Sequence, residues 1–131
     1  MIIDSSAVIA LLRKEHDHLR YRQAIAESRR CRMSTATYLE TAIIADRDHS
    51  PLLSREFDRM ITSMEVELVP VSAEHAQIAR AAYRDFGRGS GHPARLNFGD
   101  CFAYALAIER GEPLLFKGSD FSHTDVRSAL E

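Results

Sequence analysis

Four carboxylates stand next to apolar segments of the chain, where an unpaired charge is costly. Asp4 directly follows the apolar run that opens the sequence, and Asp120 follows a second short apolar run near its end. Asp100 falls in the first turn of an apolar helical pattern, and Glu40 falls in the first turn or two of another. Most of the remaining acids fall in mid-helix or on polar faces, so these four are the candidates for chemistry.

The chemistry that clustered carboxylates support is cation binding. Like charges that are held close together either take up protons or bind a cation. Oxygen ligands favour hard cations such as Mg²⁺ or Mn²⁺. Such an ion clamps phosphoryl oxygens and lowers the pKa of a bound water. The residue types therefore predict a reaction at a phosphate group.

The elements that position these acids are short strands separated by pairs of helices. Apolar runs predict strands at residues 1–4, 31–34, 66–69 and 113–116, the last being either a strand or a buried turn. This order indicates a parallel sheet with right-handed crossovers and helices on both faces. We therefore expect an α/β fold, a three-layer α/β/α sandwich with a central parallel sheet of four or five short strands. The first strand should be central, because an edge strand at a chain end would fray.

Two apolar stripes at helical spacing accompany the strands. The first predicts a packed helix face and comprises Phe98, Cys101, Phe102, Ala105, Leu106 and Ile108. The second predicts either core packing or part of a groove for a partner peptide. We call it the methionine stripe, and it comprises Leu53, Phe57, Met60 and Met64.

In this architecture the four acids converge on one edge of the sheet. Ligands bind outside the carboxyl ends of parallel strands, which is where Asp4 and Asp120 lie. Helices between parallel strands run in the opposite direction and begin at the same edge, and this places Asp100 and Glu40 there. The sequence therefore predicts one site that is formed by four separate segments.

Each acid also has a purely structural interpretation. Glu40 could form a capping box with Thr37, Asp100 could complement the helix dipole, and Asp120 could be a turn residue. Asp4 is the hardest to explain in this way, because a carboxylate that ends a buried strand costs free energy unless it is paired. Separately, Ser5 or Ser6 is expected to cap the helix that follows.

Composition limits the other possibilities. A chain of 131 residues fits one domain, residues 1–131, and its formal net charge of −2 excludes bulk electrostatic capture of a polyanion as the main activity. Cys31 and Cys101 lack metal-binding spacing and are expected to be reduced. No apolar run is long enough to span a membrane, so we expect a cytoplasmic protein. A stripe of Arg80, Arg84 and Arg88 is either a solvated face or an RNA-backbone contact.

With these residues placed, the whole chain resembles a PIN domain, and within that family the VapC toxins of bacterial toxin–antitoxin modules. The resemblance is carried by four motifs around the acids: residues 1–7 (MIIDSSA), 37–40 (TYLE), 96–101 (LNFGDC) and 115–121 (LFKGSDF). It implies a Mg²⁺- or Mn²⁺-dependent endoribonuclease in which a metal-activated water attacks the RNA phosphodiester and leaves a 3′-hydroxyl and a 5′-phosphate. It also implies inhibition by a cognate antitoxin and a homodimer that enters a larger toxin–antitoxin complex.

The resemblance assigns roles to the acids and to two of their neighbours. The implied catalytic carboxylates are Asp4, Glu40, Asp100 and Asp120, with Asp4 and Asp100 as the principal metal ligands. Ser6 is expected to hydrogen-bond within the site. Asn97 is expected to orient Asp100 or to touch substrate. Lys117, beside Asp120, is a separate candidate for a substrate phosphate partner.

Other functions remain open on the sequence alone. A PIN-fold RNA-processing nuclease without an antitoxin has the same site, and a non-catalytic interaction module is a further alternative. A haloacid-dehalogenase-like phosphatase is disfavoured, because its second aspartate is replaced by Ser6. No aromatic-rich platform for stacking bases is evident, so the RNA that is cut is not predicted.

Overall fold

The sheet is organised around its first strand. The structure, a computed structural model, describes residues 1–131. Its four strands are β1 (Ile2–Ile3), β2 (Arg32–Ser34), β3 (Glu67–Val69) and β4 (Leu114–Leu115). They are all parallel and lie in the order β3-β2-β1-β4. The central position predicted for the first strand is confirmed, and residues 114–115 form a strand and not a turn.

Six α-helices and one short 3₁₀ helix connect and cover the strands. The α-helices are α1 (Ser5–Leu12), α2 (His18–Glu27), α3 (Thr35–Asp46), α4 (Pro51–Ser63), α5 (Ala73–Phe86) and α6 (Asp100–Arg110), and the 3₁₀ helix is Phe121–His123. Gly111 ends α6 in the left-handed conformation, with φ of 63°, as a glycine C-cap requires. None of the helices combines the length and the apolar character needed to cross a bilayer.

Alternation along the strands divides the interior into two cores. Successive strand residues point to opposite faces of a sheet. Ile2 and Leu114 therefore join a core with α5 and α6, whereas Ile3 and Leu115 join a core with α1 and α4. All four of these side chains are fully buried. The predicted three-layer α/β/α sandwich is confirmed.

The methionine stripe belongs to the core on the α1 side of the sheet. Phe57 is only 2% exposed, and its ring lies 5.6 Å from that of Tyr38. Leu53, Met60 and Met64 are partly buried and pack against the same core. The suggestion that this stripe also supplies part of a groove for a partner peptide stays a prediction, because Met60 and Met64 are only partly buried and line an open cleft between α2 and α4.

The apolar face predicted around α6 is confirmed in the middle of the helix and wrong at both ends. Cys101, Ala105 and Leu106 are buried, whereas Ile108 is 38% exposed. The helix begins at Asp100, however, so Phe98 lies outside it and is 75% exposed. The helical spacing of apolar residues therefore begins before the first residue of α6, and no other element packs over most of Phe98, which precedes the helix.

Backbone hydrogen bonds join the two ends of the segment between α5 and α6. The N–H of Arg88 donates to the carbonyl of Leu96, and the N–H of Leu96 donates to the carbonyl of Phe86, both at 2.9 Å. Leu96 is fully buried. These contacts anchor the glycine-containing loop 87–95 and fix the chain immediately before Asp100.

Candidate active site

The four predicted carboxylates lie at the carboxyl edge of the sheet. Asp4 and Asp120 come from the segments that follow β1 and β4, while Asp100 and Glu40 lie in α6 and α3. Asp100 is close enough to the other three for each of their charges to raise its pKa. The topology thus brings together residues that are far apart in the sequence.

Asp4 is buried, and only one of its two carboxylate oxygens forms hydrogen bonds. Its Oδ2 accepts hydrogen bonds from the N–H of Ser6 (3.0 Å) and from the hydroxyl of Ser6 (2.6 Å). Its Oδ1 is buried without any hydrogen-bond partner. Burial raises the pKa of Asp4, the hydrogen bonds from Ser6 lower it, and the charge of Glu40 raises it further. Asp4 is also the N-cap of α1, so the cap is neither Ser5 nor Ser6, but capping uses only one of its two oxygens.

Ser6 links Asp4 to the strand on the other side of β1. Its hydroxyl accepts a hydrogen bond from the N–H of Lys117 (2.9 Å) and donates to Asp4. The chain that leaves β4 is thereby connected to the carboxylate that follows β1. This arrangement agrees with the predicted site-orienting role of Ser6.

The side chain of Lys117 is engaged within the protein. Its ammonium binds the carboxylates of Glu15 and, at 2.8 Å, of Asp17. The hydrogen bonds to Asp17 and Glu15 raise the pKa of Lys117. This arrangement does not support the prediction that the ammonium binds substrate phosphate, because two carboxylates already neutralise it. The contribution of Lys117 to the site is its backbone N–H.

Asn97 and Asp100 hold each other at the start of α6. The N–H of Asn97 donates to Oδ2 of Asp100 (2.9 Å), and the N–H of Asp100 donates to Oδ1 of Asn97 (2.8 Å). The Oδ1 atom of Asp100 is left without a hydrogen bond. The expectation that Asn97 orients Asp100 agrees with this geometry.

The charge of Asp100 is destabilised where it stands. The pKa of Asp100 is raised to about 7, and burial is the largest cause. The charges of the nearby carboxylates Asp4, Asp120 and Glu40 contribute to this increase, whereas the hydrogen bond from the N–H of Asn97 opposes it. A residue that served only to complement the helix dipole would have its charged form stabilised, so the helix-dipole interpretation does not explain this environment.

Glu40 packs against the chain that leads into α6. A Cβ atom on Gly99 would overlap with Oε2 of Glu40 and would lie 2.6 Å from its Cδ. The capping-box interpretation of Glu40 is wrong, because α3 is capped by the side chain of Ser34 and the hydroxyl of Thr37 has no partner. Glu40 and Asp100 are therefore neighbours only because residue 99 lacks a side chain.

Asp120 is the most exposed of the four acids. It stands at the N-cap position of the 3₁₀ helix, but its side chain makes no capping hydrogen bond. Its charge contributes to the raised pKa of Asp100. The turn interpretation therefore accounts for its backbone and leaves its carboxylate free.

The carboxylates fit a divalent cation that keeps part of its water shell. No group of three or more histidine, cysteine or acidic side chains stands ready to hold a metal ion. Mg²⁺ is commonly bound through one or two carboxylates, with water and substrate oxygens completing the shell. The unpaired Oδ1 of Asp4 and the free Oδ1 of Asp100 are suitable donors, and a cation would relieve the repulsion among these acids.

Two residues of the third motif differ from what the sequence patterns predict. The patterns give no role to Gly99, and its role follows from the space that Glu40 occupies. Helical spacing predicts that Phe98 is packed, whereas it is exposed two residues before Asp100. The signal in the sequence is Gly99 itself, because a glycine can interrupt a helical pattern.

Comparison with known proteins agrees with this fold and site. The family model described as the PIN domain matches residues 1–127. Ribonuclease VapC28 of Mycobacterium tuberculosis is 54% identical over 131 residues, which cover 100% of this chain and 98% of the relative. The chain belongs to the PIN-domain family and, within it, to the VapC ribonucleases.

Two solved structures share the fold. One is the VapC20 toxin of Mycobacterium tuberculosis, described as cleaving the sarcin–ricin loop, with a TM-score of 0.75 and 19% identity over 95% of both chains. The other is a toxin–antitoxin complex from Klebsiella pneumoniae, with a TM-score of 0.67 and 20% identity over 92% of this chain and 89% of that one. The predicted family, PIN-domain ribonucleases of the VapC toxin type, is confirmed.

Proposed function

We propose that this chain is a divalent-cation-dependent endoribonuclease toxin whose activity is blocked by an antitoxin. The observation that carries the proposal is the carboxylate pair at the rim: buried Asp4 keeps one oxygen unpaired, and Asp100 is destabilised in its charged form. Both features describe a site that gains free energy when a cation arrives. The relatives are named as ribonucleases, and we therefore propose RNA as the substrate.

The four acidic residues would have different roles in cleavage of the phosphodiester. Asp4 and Asp100 would hold Mg²⁺ or Mn²⁺, and Glu40 and Asp120 complete the negative rim. The bound cation supplies charge neutralisation at phosphoryl oxygens and lowers the pKa of water. Because the pKa of Asp100 is about 7, this carboxyl changes its protonation close to neutral pH in the metal-free protein.

Supporting contacts keep these groups in position before substrate arrives. Ser6 fixes the rotamer of Asp4, and the reciprocal bonds with Asn97 fix Asp100. A preorganised carboxylate pays no reordering cost when it binds a cation. Lys117 stabilises the same corner through its N–H and through its ion pairs with the segment after α1.

The test is cleavage of total RNA by the purified chain in Mg²⁺, in Mn²⁺ and with a chelator. We expect cleavage with either ion and none with the chelator. Asp4→Asn should reduce cleavage at least 10–100-fold, as the loss of groups near a metal does. Arg30→Gln, at an exposed position on another part of the chain, is the matched control and should cleave like the wild type. Cleavage that persists in chelator would overturn the metal requirement.

The proposal extends to the partner and the assembly. One fold relative is described as a toxin–antitoxin complex, and we propose that an antitoxin covers the rim here by inserting a basic side chain among the acids. We also propose a cytoplasmic homodimer that enters a larger complex with that antitoxin. Expression should arrest growth, and coexpression with a neighbouring antitoxin gene should relieve the arrest. Cleavage without growth arrest would favour an RNA-processing nuclease.

A further inference from the structure

An open apolar cleft lies between α5 and the start of α6, the helix that begins at Asp100. Its volume is about 230 Å³, and six of its seven lining residues are hydrophobic. The lining residues are Ala76, Ala79, Arg80, Tyr83, Phe98, Cys101 and Phe102. Two of these residues, Ala76 and Ala79, are alanines on α5, whose short side chains occupy little of the space between the two helices.

Phe98 is an exposed aromatic residue two positions before Asp100 in the chain. It is 75% exposed, although it stands between Asn97 and Asp100, the pair that forms the start of α6. Its ring is nearly perpendicular to that of Phe102, with centroids 5.0 Å apart. Phe102 therefore supports the ring from one side, and most of its surface remains open to solvent. An exposed aromatic ring contributes little to the core.

A positive charge accompanies the aromatic cleft. Arg80 lines the cleft, is exposed, and forms no ion pair. In the stripe that it begins, Arg84 is neutralised by Asp85, whereas Arg88 has no acidic partner. The cleft thus offers an aromatic surface together with an uncompensated guanidinium.

We propose that this cleft binds one nucleobase of the RNA next to the phosphodiester that is cut. This inference rests on the proposed ribonuclease function. Phe98 stacks on the base, and Arg80 contacts a backbone phosphate. A nucleotide combines a flat ring with an anion, which matches the two features of the cleft. Phe98 and Cys101, which line the cleft, stand on either side of Asp100 in the chain. Stacking tolerates every base, so the cleft holds the strand in register without fixing its sequence.

The test measures binding and not cleavage. The probes are a fluorescein-labelled oligoribonucleotide, which chelation of divalent cations should keep intact, and an abasic oligoribonucleotide with the same number of phosphates. Fluorescence anisotropy in chelator gives the Kd of each for the full chain. Loss of one stacking contact typically weakens binding by about 5- to 150-fold. We expect that loss for Phe98→Ala with the base-bearing probe and no change with the abasic probe.

Two further variants separate the ring from the charge. Phe98→Trp should restore the affinity for the base-bearing probe, because it restores a stacking surface. Arg80→Gln should weaken both probes equally and should lower the salt dependence of binding by about one counterion. Leu52→Ala is the control, since Leu52 is 76% exposed on α4, and it should bind both probes like the wild type. Thermal unfolding of each variant verifies that it is folded.

Distinct results would overturn the inference. A wild type that cleaves RNA, alongside a Phe98→Ala variant that binds both probes equally well as the wild type, would refute the cleft and leave the proposed function intact. If light scattering shows that Phe98→Ala converts the dimer to a monomer while its affinity for RNA is unchanged, the cleft binds a second copy of the chain and not RNA. A wild type that neither binds nor cleaves RNA would remove the proposed function itself.

Discussion

Replacing Asp100 by asparagine removes the negative charge of this side chain and keeps its shape, so the substitution tests the effect of the charge alone. The asparagine oxygen can still accept the hydrogen bond from the N–H of Asn97, so the start of α6 should keep its structure. What disappears is a carboxylate whose pKa is raised from 3.8 to about 7. The substitution therefore removes one negative charge from the rim and one titrating group from the folded protein.

The direction of the pH effect follows from proton linkage. Between about pH 4 and pH 7 the folded protein holds a proton on Asp100 that the unfolded chain has already lost. The contribution of this group to stability is therefore fully present below its unfolded pKa and is lost as the pH rises through its folded pKa. One pKa unit corresponds to about 1.4 kcal/mol, so the full shift corresponds to about 4 kcal/mol. Partial exposure of the group reduces the expected effect to on the order of 2 kcal/mol.

The measurement is urea unfolding of the metal-free protein across this pH range. The wild type should lose stability as the pH rises, and Asp100→Asn should lose less, with a difference on the order of 2 kcal/mol near neutral pH. Asp58→Asn, on the exposed side of α4, is the control and should follow the wild type. An unchanged pH dependence in Asp100→Asn would refute the reasoning from burial and repulsion.

The same variant tests the metal site. Removing a ligand should lower RNA cleavage at least 10–100-fold. It should also reduce the stabilisation that Mg²⁺ gives the wild type, since a cation stabilises the state that binds it. A variant that retained both near-normal cleavage and the full Mg²⁺-induced stabilisation would exclude Asp100 as a metal ligand.

Three other substitutions test contacts on which the site depends. Gly99→Ala should keep near-normal thermal stability, since φ and ψ of −63° and −40° suit alanine, but should cleave RNA as poorly as Glu40→Gln, with no further loss in the double variant; additive losses would contradict the steric argument. Ser6→Ala should cost about 1–3 kcal/mol in urea unfolding, because Asp4 loses a buried hydrogen bond; a neutral effect would show that the bond is not needed. Phe57→Ala should lower the free energy of unfolding by about 3–5 kcal/mol. A change near zero would show that Phe57 is not packed in the core.

The sequence is sufficient to predict the architecture because the strands carry simple signals. Ile2 and Ile3 form an apolar pair that must be buried on both sides, as a strand in a parallel sheet is. Leu114 and Leu115 repeat this pattern after a helix that ends at Gly111. Short buried strands alternating with helices permit few arrangements. The layers and the central position of β1 follow from these rules.

The sequence also predicts which acids share the site, because topology alone decides it. Asp4 and Asp120 follow parallel strands, and the start of α6 lies at the same edge. No side-chain detail is needed for that inference. The structural alternative for Glu40 could be rejected only from the structure, which shows Ser34 as the cap of α3.

Only the tertiary structure decides what covers each side chain. Helical spacing gives Phe98 and Phe57 the same prediction, yet one is 75% exposed and the other 2%. Periodicity identifies an apolar face, but whether another element packs on that face depends on the ends and crossing positions of the helices. Lys117 shows the same limit for charges, because its carboxylate partners, Glu15 and Asp17, are about a hundred residues away in the chain. Such a pairing exists only after the sheet has brought β4 beside β1.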